Sequence, residues 1–154
     1  MKISELLNER LIKTDLVSTE KEEVFEELID LLLRERLISD RRAAYSAILG
    51  REKKQSTGIG RGVAIPHGKS PAVKQLCAAL GISKPGIEYA SLDGEPVQVV
   101  FLLLAEEGNP GPHVMALAQI ATLFKAEGFI ERLIASKTPK ELYDAIVAEE
   151  EKEA

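Results

Sequence analysis

The chain of 154 residues is 45% hydrophobic and 29% charged, which are the size and composition of one ordinary globular domain. A formal net charge of −5 argues against a nucleic-acid binder, because such proteins carry an overall basic footprint. The charged N-terminus, the lack of an apolar run of about 18 residues and the single cysteine favour one cytoplasmic domain over residues 1–154, without signal peptide, membrane insertion or internal disulfide.

Two helices are predicted in the first third of the chain. Thr19-x-x-Glu22 has the spacing of a capping box, and the apolar residues after it recur at helical spacing, which predicts a helix over about residues 20–36. Ser39 and Asp40 are candidate caps for a second helix that runs toward Arg51.

Strands are predicted in the middle of the chain. Residues 63–65 form a short apolar run, and apolar residues alternate along residues 76–82 as in a strand. The run Val97–Ala105 is continuously apolar and rich in β-branched residues, which is typical of a strand covered on both faces.

Helices are predicted again at the C-terminal end. The segment EEGNPGP precedes a predicted helix over about residues 113–125, and a short helix follows at Phe129–Ala135. A capping box and a proline at residues 138–141 predict a last helix, with a frayed tail over residues 149–154. Helices first, strands next and helices last predict a single-domain α/β sandwich around a small sheet.

The charges are unevenly distributed. Residues 53–87 contain no aspartate or glutamate. The basic residues of this stretch are Lys53, Lys54, Arg61, Lys69, Lys74 and Lys84. Such a stretch favours an anion or an acidic partner surface, although a solvated face that arose by chance gives the same pattern.

The glycine-rich segment TGIGRGVAIPHGKS, residues 57–70, is compared first with nucleotide-binding loops. Gly68-Lys69-Ser70 looks like the end of a Walker A motif, but the glycine required five positions earlier is replaced by Val63, and Pro71 follows where a helix should begin. Gly58-x-Gly60-x-Gly62 is not a dinucleotide fingerprint, because its third glycine is one residue too close. Both nucleotide interpretations fail on spacing.

His67 is a stronger candidate within this segment. Pro66 fixes its own φ and restrains Ile65 to extended geometry, which predicts a strand that ends at His67. Gly68 would let the chain turn directly afterwards, and Lys69 supplies a cation, as does Arg61 earlier in the segment. The alternative is a histidine that merely hydrogen-bonds a turn.

The other histidine, His113, is predicted on the inward stripe near the start of a helix, where the macrodipole favours a neutral ring. A satisfied core histidine is the alternative. Cys77 lies in an apolar strand and is interpreted as structural. It and the two histidines do not form a recognisable set of zinc ligands. The sequence contains no G-x-S-x-G motif, which is typical of serine hydrolases. A histidine that acts as a nucleophile toward phosphorus remains as the candidate chemistry.

Residues 51–70, REKKQSTGIGRGVAIPHGKS, and residues 111–124, GPHVMALAQIATLF, strongly resemble the enzyme IIA domain of the phosphoenolpyruvate-dependent sugar phosphotransferase system (PTS), in its fructose/mannitol/nitrogen-regulatory class, EIIA type 2. The resemblance covers essentially the whole chain, and its most specific element is the block at residues 62–69. It implies a mixed sheet flanked by helices on both faces, with no cofactor and no metal.

The resemblance also implies roles for individual residues. His67 matches the phosphorylated histidine, a tele-phosphohistidine, which accepts its phosphoryl group from HPr or an HPr-like carrier. His113 matches the second histidine, which orients the first or its phosphate, and Arg51 matches an arginine that supports the phosphate, although by itself it looks like a solvated helix-end charge. Lys69 and Gly68 are supporting candidates.

The next step of the phosphoryl group is left open by the sequence. The block at residues 57–69 is most similar to the nitrogen-regulatory branch, and a chain that carries neither IIB nor IIC suits that branch. A stand-alone sugar-specific IIA that passes the phosphoryl group to a IIB cysteine is one alternative, and a purely regulatory interaction module is another. The expected partners are therefore the carrier and a IIB protein or a regulatory target, and not nucleic acid.

Overall fold

The computed structural model describes residues 1–153 and has an α/β architecture. Across these residues there are five α-helices, six strands and two short 3₁₀ helices, Ile3–Leu6 and Glu9–Leu11. The α-helices are α1 (Lys21–Arg34), α2 (Arg41–Lys54), α3 (Pro110–Phe124), α4 (Phe129–Ala135) and α5 (Pro139–Glu153). The strands are β1 (Ile12–Lys13), β2 (Gly58–Gly60), β3 (Val63–Ala64), β4 (His67–Lys69), β5 (Cys77–Ile87) and β6 (Val97–Ala105).

The strands form one mixed sheet in the order β1-β5-β6-β3-β2, with β4 also paired to β6. β5 and β6 run antiparallel, whereas β1 is parallel to β5, and β3 and β4 are parallel to β6. Every residue from 77 to 83 is buried, and so is every residue of β6 except Gln98. Consecutive buried residues require cover on both faces, which confirms the predicted mixed sheet flanked by helices.

β3 and β4 lie on the same edge of β6 in one unbroken register, in which His67 is opposite Leu103. Two residues interrupt the strand between them. The Ile65 amide donates to the Thr57 carbonyl at 3.0 Å, and Pro66 has no N–H but accepts from the Leu103 amide at 2.9 Å. The prediction that His67 lies at the end of a strand is therefore wrong, because His67 is the first residue of β4.

The predicted helices are confirmed, with changes at their ends. Asp40 caps α2 by accepting a hydrogen bond from the Ala43 amide at 3.1 Å. The capping box predicted at Thr19 is wrong, since Glu20 is the N-cap of α1 and its side chain makes no capping hydrogen bond. α3 begins at Pro110, before the predicted start, because a proline in the first helical turn leaves no amide hydrogen unpaired. No helix within residues 1–153 has the length and apolarity needed to cross a bilayer.

The start of the C-terminal tail contacts the N-terminal segment. α5 continues to the end of the described chain, and the Glu150 carboxylate accepts hydrogen bonds from the Ile3 amide at 2.6 Å and the Ser4 amide at 3.3 Å. These contacts attach α5 to the N-terminal segment at Glu150, and the fraying predicted for the residues after it stays a prediction. Ala154, the last residue of that prediction, lies outside the described residues.

The remaining differences concern the strands. β1, β2 and β4 are two or three residues long, which is too short to show an apolar period. The alternation predicted over residues 76–82 is incomplete, because the intervening residues are buried as well. Cys77 in β5 is 3% exposed, and burial raises the pKa of its thiol to about 12, as expected for a cysteine that packs as a small apolar residue.

Candidate active site

The two histidines of the chain meet on one face of the sheet. Strand alternation directs the side chains of His67 and Lys69 to the face opposite Gly68, and α3 supplies His113 from its first turns. The two ring centroids are 5.3 Å apart and the ring planes make an angle of 70°, which is an edge-to-face contact. His113 is 6% exposed and His67 is half-buried. The predictions that His113 points inward and that the histidines meet are confirmed.

One hydrogen bond orients the His67 ring. Its Nδ1 lies 2.7 Å from the Ile65 carbonyl oxygen, and because a carbonyl only accepts, Nδ1 must carry the hydrogen. In the neutral ring the lone pair is then on Nε2. Ile65 is itself fixed by the bond from its amide to the Thr57 carbonyl. The loop before β4 therefore selects which nitrogen of His67 carries the hydrogen and which carries the lone pair.

Both imidazoles are held in the neutral form. Burial is the main cause that lowers the pKa of His67, and the Arg51 charge lowers it further, whereas the Ile65 hydrogen bond and the Glu52 charge oppose the shift. Burial also lowers the pKa of His113, with smaller contributions from His67 and Lys69. Neutral rings near pH 7 are required of a nucleophile, since a protonated imidazole has no lone pair to donate.

His113 has an unsatisfied nitrogen. Its Nε2 is buried and has no hydrogen-bond partner among residues 1–153, although buried polar atoms are normally paired. The ring that carries this atom contacts His67. Histidine, cysteine and acidic side chains of the described chain form no group of three that could hold a metal ion. The histidine pair therefore stands by itself, with one nitrogen left for a group that the protein does not supply.

Gly68 has a different structural role from the one predicted. It lies within β4 and does not begin a turn. A Cβ at this position would lie 2.8 Å from the Ala47 carbonyl oxygen of α2, closer than real side chains approach. The prediction of a turn is wrong, and the glycine instead allows α2 to pack directly against β4. This close approach brings the last turn of α2 toward His67.

Arg51 and Lys69 are the cations of the predicted site that the structure places near the histidines. Arg51 lies in the last turn of α2, where its Nη1 donates to the Gln55 carbonyl at 2.8 Å, and its charge acts on His67. Lys69 is exposed at the end of β4, and its charge acts on His113. Each cation therefore lies within electrostatic range of one ring.

Arg61 does not belong to this group. Its Nη1 donates to the Phe124 carbonyl at 2.9 Å, at the C-terminal end of α3, while His113 lies near the opposite end of that helix, about 16 Å away at 1.5 Å per residue. Arg61 also has a left-handed backbone, with φ of 59°, in the turn between β2 and β3. The expectation that Arg61 is close to His67 is wrong, because the turn directs it to the other end of α3.

Glu52 is a residue near the site that the sequence analysis missed. It is 7% exposed and its charge acts on His67, so the ring is not free of carboxylates as the stretch from residue 53 to 87 suggests. The buried residues of α2 are Ala44, Ile48 and Glu52, which recur every fourth residue. That spacing was visible in the sequence and places Glu52 on the inward stripe of the helix.

Known proteins provide a comparison for this geometry. The family model of the phosphoenolpyruvate-dependent sugar phosphotransferase system, EIIA 2, matches residues 5–149. A fructose-specific EIIABC component of the PTS from Bacillus subtilis is 41% identical over 95% of this chain, and the chain spans 23% of the length of that relative. A nitrogen regulatory protein from Bradyrhizobium diazoefficiens is 40% identical over 68% of this chain and 69% of its own length.

Solved structures show the same architecture. The nitrogen regulatory protein IIA-Ntr from Neisseria meningitidis has a TM-score of 0.86 and 33% identity over 94% of this chain and 98% of its own. IIA mannitol from Escherichia coli has a TM-score of 0.79 over 91% of this chain and 98% of its own, at 20% identity, and its likeness concerns the fold. The match over residues 5–149 and these similarities show that the chain belongs to the EIIA 2 family, the phosphotransfer components of the phosphoenolpyruvate-dependent sugar phosphotransferase system.

Proposed function

We propose that this chain is a phosphohistidine carrier, which accepts a phosphoryl group on Nε2 of His67 from HPr or an HPr-like protein. One arrangement carries the proposal: a half-buried His67 ring oriented by Ile65 lies in edge contact with a His113 ring whose Nε2 has no partner in the described chain. The proposed domain comprises residues 1–154, and we propose a cytoplasmic location for it, because its single free cysteine suits a reducing compartment.

The transfer is an exchange of one P–N bond for another. The lone pair on Nε2 of His67 attacks the phosphorus of the donor phosphohistidine, the donor P–N bond breaks, and its electron pair returns to the donor imidazole. The His67 ring becomes positively charged as the new bond forms. Its Nδ1–H already donates to the Ile65 carbonyl, and this charge-assisted hydrogen bond stabilises the charged ring.

The neighbouring groups support the phosphoryl oxygens. The buried Nε2 of His113 donates to an oxygen when that nitrogen carries the hydrogen, which resolves its missing hydrogen bond. Arg51 and Lys69 offset the negative charge, in keeping with the electrostatic action of Arg51 on His67 and of Lys69 on His113. Gly68 contributes indirectly, since it lets α2 bring Arg51 close.

A carrier must also resist water. Glu52 is the carboxylate whose charge acts on His67, but both of its oxygens already accept hydrogen bonds, from Thr57, Tyr89 and Lys21. A carboxylate engaged in this way is poorly placed to take a proton from an attacking water. The phosphorylated protein should therefore persist until a partner accepts the phosphoryl group.

For the next step we favour a nitrogen-regulatory role, in which partner proteins respond to the phosphorylation state. The likeness to IIA-Ntr from Neisseria meningitidis extends over nearly the whole of both chains, which supports this assignment. A sugar-specific role, with transfer to a IIB cysteine, is the second candidate, because the Bacillus subtilis relative is fructose-specific and the fold is shared with the Escherichia coli IIA mannitol that is solved in complex with phosphorylated IIB mannitol.

Labelling identifies the phosphorylated residue. The purified chain is incubated with phosphoenolpyruvate, enzyme I and HPr, and its intact mass is followed with time. We expect the unmodified chain to gain one acid-labile phosphoryl group, His67→Gln to gain none, and His113→Gln to gain it at least tenfold more slowly. Circular dichroism of both variants is the control for folding. Equal labelling of His67→Gln and the unmodified chain would exclude His67 as the acceptor.

A chase experiment separates the two roles. The labelled protein is offered a fructose-type or mannitol-type IIB protein, and its cysteine→serine variant as the matched control. Loss of label within seconds to the cysteine form alone supports the sugar-specific role. Persistence of the label, together with a protein that binds only one of the two phosphorylation states, supports the regulatory role.

A further inference from the structure

A buried carboxylate at the end of α2 holds the loop that leads to His67. Glu52 Oε2 accepts from the Thr57 amide at 3.0 Å and from Lys21 Nζ at 3.1 Å. Its Oε1 accepts from Thr57 Oγ1 at 2.5 Å and lies 3.2 Å from the Tyr89 hydroxyl, which is also 2.8 Å from Thr57 Oγ1. One side chain thus fixes both the amide and the hydroxyl of Thr57, which is 4% exposed.

A short series of hydrogen bonds continues from Thr57 to the histidine. The Thr57 carbonyl accepts from the Ile65 amide at 3.0 Å, and the Ile65 carbonyl accepts from His67 Nδ1 at 2.7 Å. The series crosses the gap between β3 and β4, where Pro66 has no amide hydrogen to donate to the ladder with β6. The position of the Ile65 carbonyl therefore depends on Thr57, and Thr57 depends on Glu52.

We propose that Glu52 is a positioning residue for His67: it sets the orientation and tautomer of the ring through Thr57 and Ile65, and so keeps the lone pair on Nε2. This inference rests on the proposed role of His67 as the phosphoryl acceptor. It assigns to Glu52 a role that differs from that of Arg51 beside it: both charges act on the ring, but Glu52 also holds the backbone of Thr57, from which the hydrogen bonds to Ile65 and His67 continue.

The test is the tautomer of His67 in Glu52→Gln, measured in the unphosphorylated protein. Two-bond ¹H–¹⁵N spectra at pH 8, where both rings are neutral, report separately on Nδ1 and Nε2, and the chain has two histidines to assign. A glutamine has the same shape but turns a donor toward Thr57 or Lys21. We expect the ratio of the Nδ1–H to the Nε2–H form of His67 to fall about tenfold, which is the typical effect of one lost hydrogen bond.

The matched control is Glu150→Gln. Glu150 is 5% exposed and, like Glu52, is hydrogen-bonded to the backbone, but its two donors are the amides of the N-terminal residues Ile3 and Ser4. Both variants should lose stability to urea, and only Glu52→Gln should change the His67 tautomer and slow phosphoryl acceptance from HPr, by about tenfold to hundredfold. Loss of stability in both variants with an unchanged His67 tautomer would overturn the proposal and leave Glu52 a structural residue.

A second pair of variants covers the case in which Glu52→Gln does not fold. Thr57→Val removes the hydroxyl bond to Glu52 but keeps the amide bond, and should shift the tautomer ratio of His67 part of the way, by about threefold. Tyr89→Phe leaves both bonds between Glu52 and Thr57 in place and should leave the ratio unchanged. Equal ratios in Thr57→Val and the unmodified chain would contradict the proposal.

The two proposals fail in different ways. If phosphoenolpyruvate, enzyme I and HPr do not label the unmodified chain on His67, the proposed function is wrong, while the tautomer measurement still tests Glu52 because it needs no phosphoryl transfer. If His67 is labelled but its tautomer ratio does not change in Glu52→Gln, the carrier function stands and the positioning role is wrong.

Discussion

β3 and β4 lie on the same edge of β6 in the same register, yet one contributes to the core and the other to the site. β3 is buried at both residues and has β2 as its second strand neighbour. β4 pairs with β6 alone in the described part of the chain, with a half-buried His67, a buried Gly68 and an exposed Lys69. The difference begins at Pro66, which accepts a hydrogen bond from β6 but has no amide hydrogen to donate to the ladder.

The two strands differ in what lies beside them. β2 pairs with the outer edge of β3, and both side chains of β3 are buried in the core. Where the second strand is missing, α2 packs against the face at Gly68, and the other face presents His67 to α3. Three predictions test this difference between β3 and β4, and they concern Gly68, Arg51 compared with Arg61, and the titration of the histidines.

The largest effect is expected from Gly68→Ala, which attacks the packing of α2 on β4. The new Cβ would lie 2.8 Å from the Ala47 carbonyl oxygen, so α2 must shift. We expect a loss of about 1–3 kcal/mol in the free energy of unfolding, measured by urea denaturation, and a slower phosphoryl transfer to His67.

Gly50→Ala is the control for that change. Gly50 lies inside α2, and a Cβ there would meet nothing within 4 Å. This variant should gain about 0.5–1 kcal/mol of stability, because alanine is the better helix former. A stability loss of similar size in both variants would mean that the α2 helix itself, and not its contact with β4, decides the outcome.

The next largest effect distinguishes Arg51, in the last turn of α2, from Arg61, in the turn before β3. Arg51 acts electrostatically on the His67 ring, whereas Arg61, just before β3, donates to the Phe124 carbonyl at the far end of α3. We expect Arg51→Ala to slow phosphorylation of His67 about tenfold and to raise the pKa of His67, since a cation that lowers that pKa is removed.

Arg61→Ala is the matched comparison. It should leave the phosphorylation rate within about twofold of that of the unmodified chain and should not change the pKa of His67, because its contacts lie elsewhere. NMR titration of the two histidines and the labelling assay measure both quantities. Equal effects of the two substitutions would contradict the separation of the two strands into a core part and a site part.

The smallest effect is the dependence of stability on pH. Burial lowers the pKa of His67 and of His113 in the folded protein, so between those lowered values and about 6.5 the unfolded chain binds more protons than the folded one. Stability should therefore rise with pH through this window and fall as the solution is acidified below about 6.5.

Urea midpoints measured between pH 7.5 and 5.5 test this slope. The double variant His67→Gln, His113→Gln contains no histidine at all, and its midpoint should change less over the same interval. Acidic groups with lowered pKa values, such as Glu27, titrate below 4.5 and stay charged throughout the interval. An equal slope in the two proteins would mean that the histidines are not held neutral by burial.

The sequence predicted the larger elements well because their hydrophobic patterns extend over enough residues to be recognised. Val97–Ala105 coincides with β6, and the helices at residues 20–36 and 129–135 lie where their apolar spacing indicated. The candidate residues His67, His113 and Arg51 could be listed from residue type and resemblance.

What the sequence could not predict depends on contacts between distant residues. It gave no indication that Gly68 serves the approach of α2, that Arg61 reaches the C-terminal end of α3, or that the tail after residue 149 is attached to Ile3. Each of these facts concerns a contact between segments that are far apart in the chain, which local propensity does not encode.

By itself, then, the sequence determined which side chains are available for the chemistry: two histidines, and a basic stretch at residues 53–87 without carboxylates. Only the tertiary structure decided how they act. The register of β4 on β6 puts His67 beside His113, and the bond to Ile65 selects Nε2 as the atom with the lone pair. The tertiary structure also brings the negative charge of Glu52 close to His67, although residues 53–87 around this histidine contain no carboxylate. Glu52 lies on the buried face of α2, and this helix ends near the site.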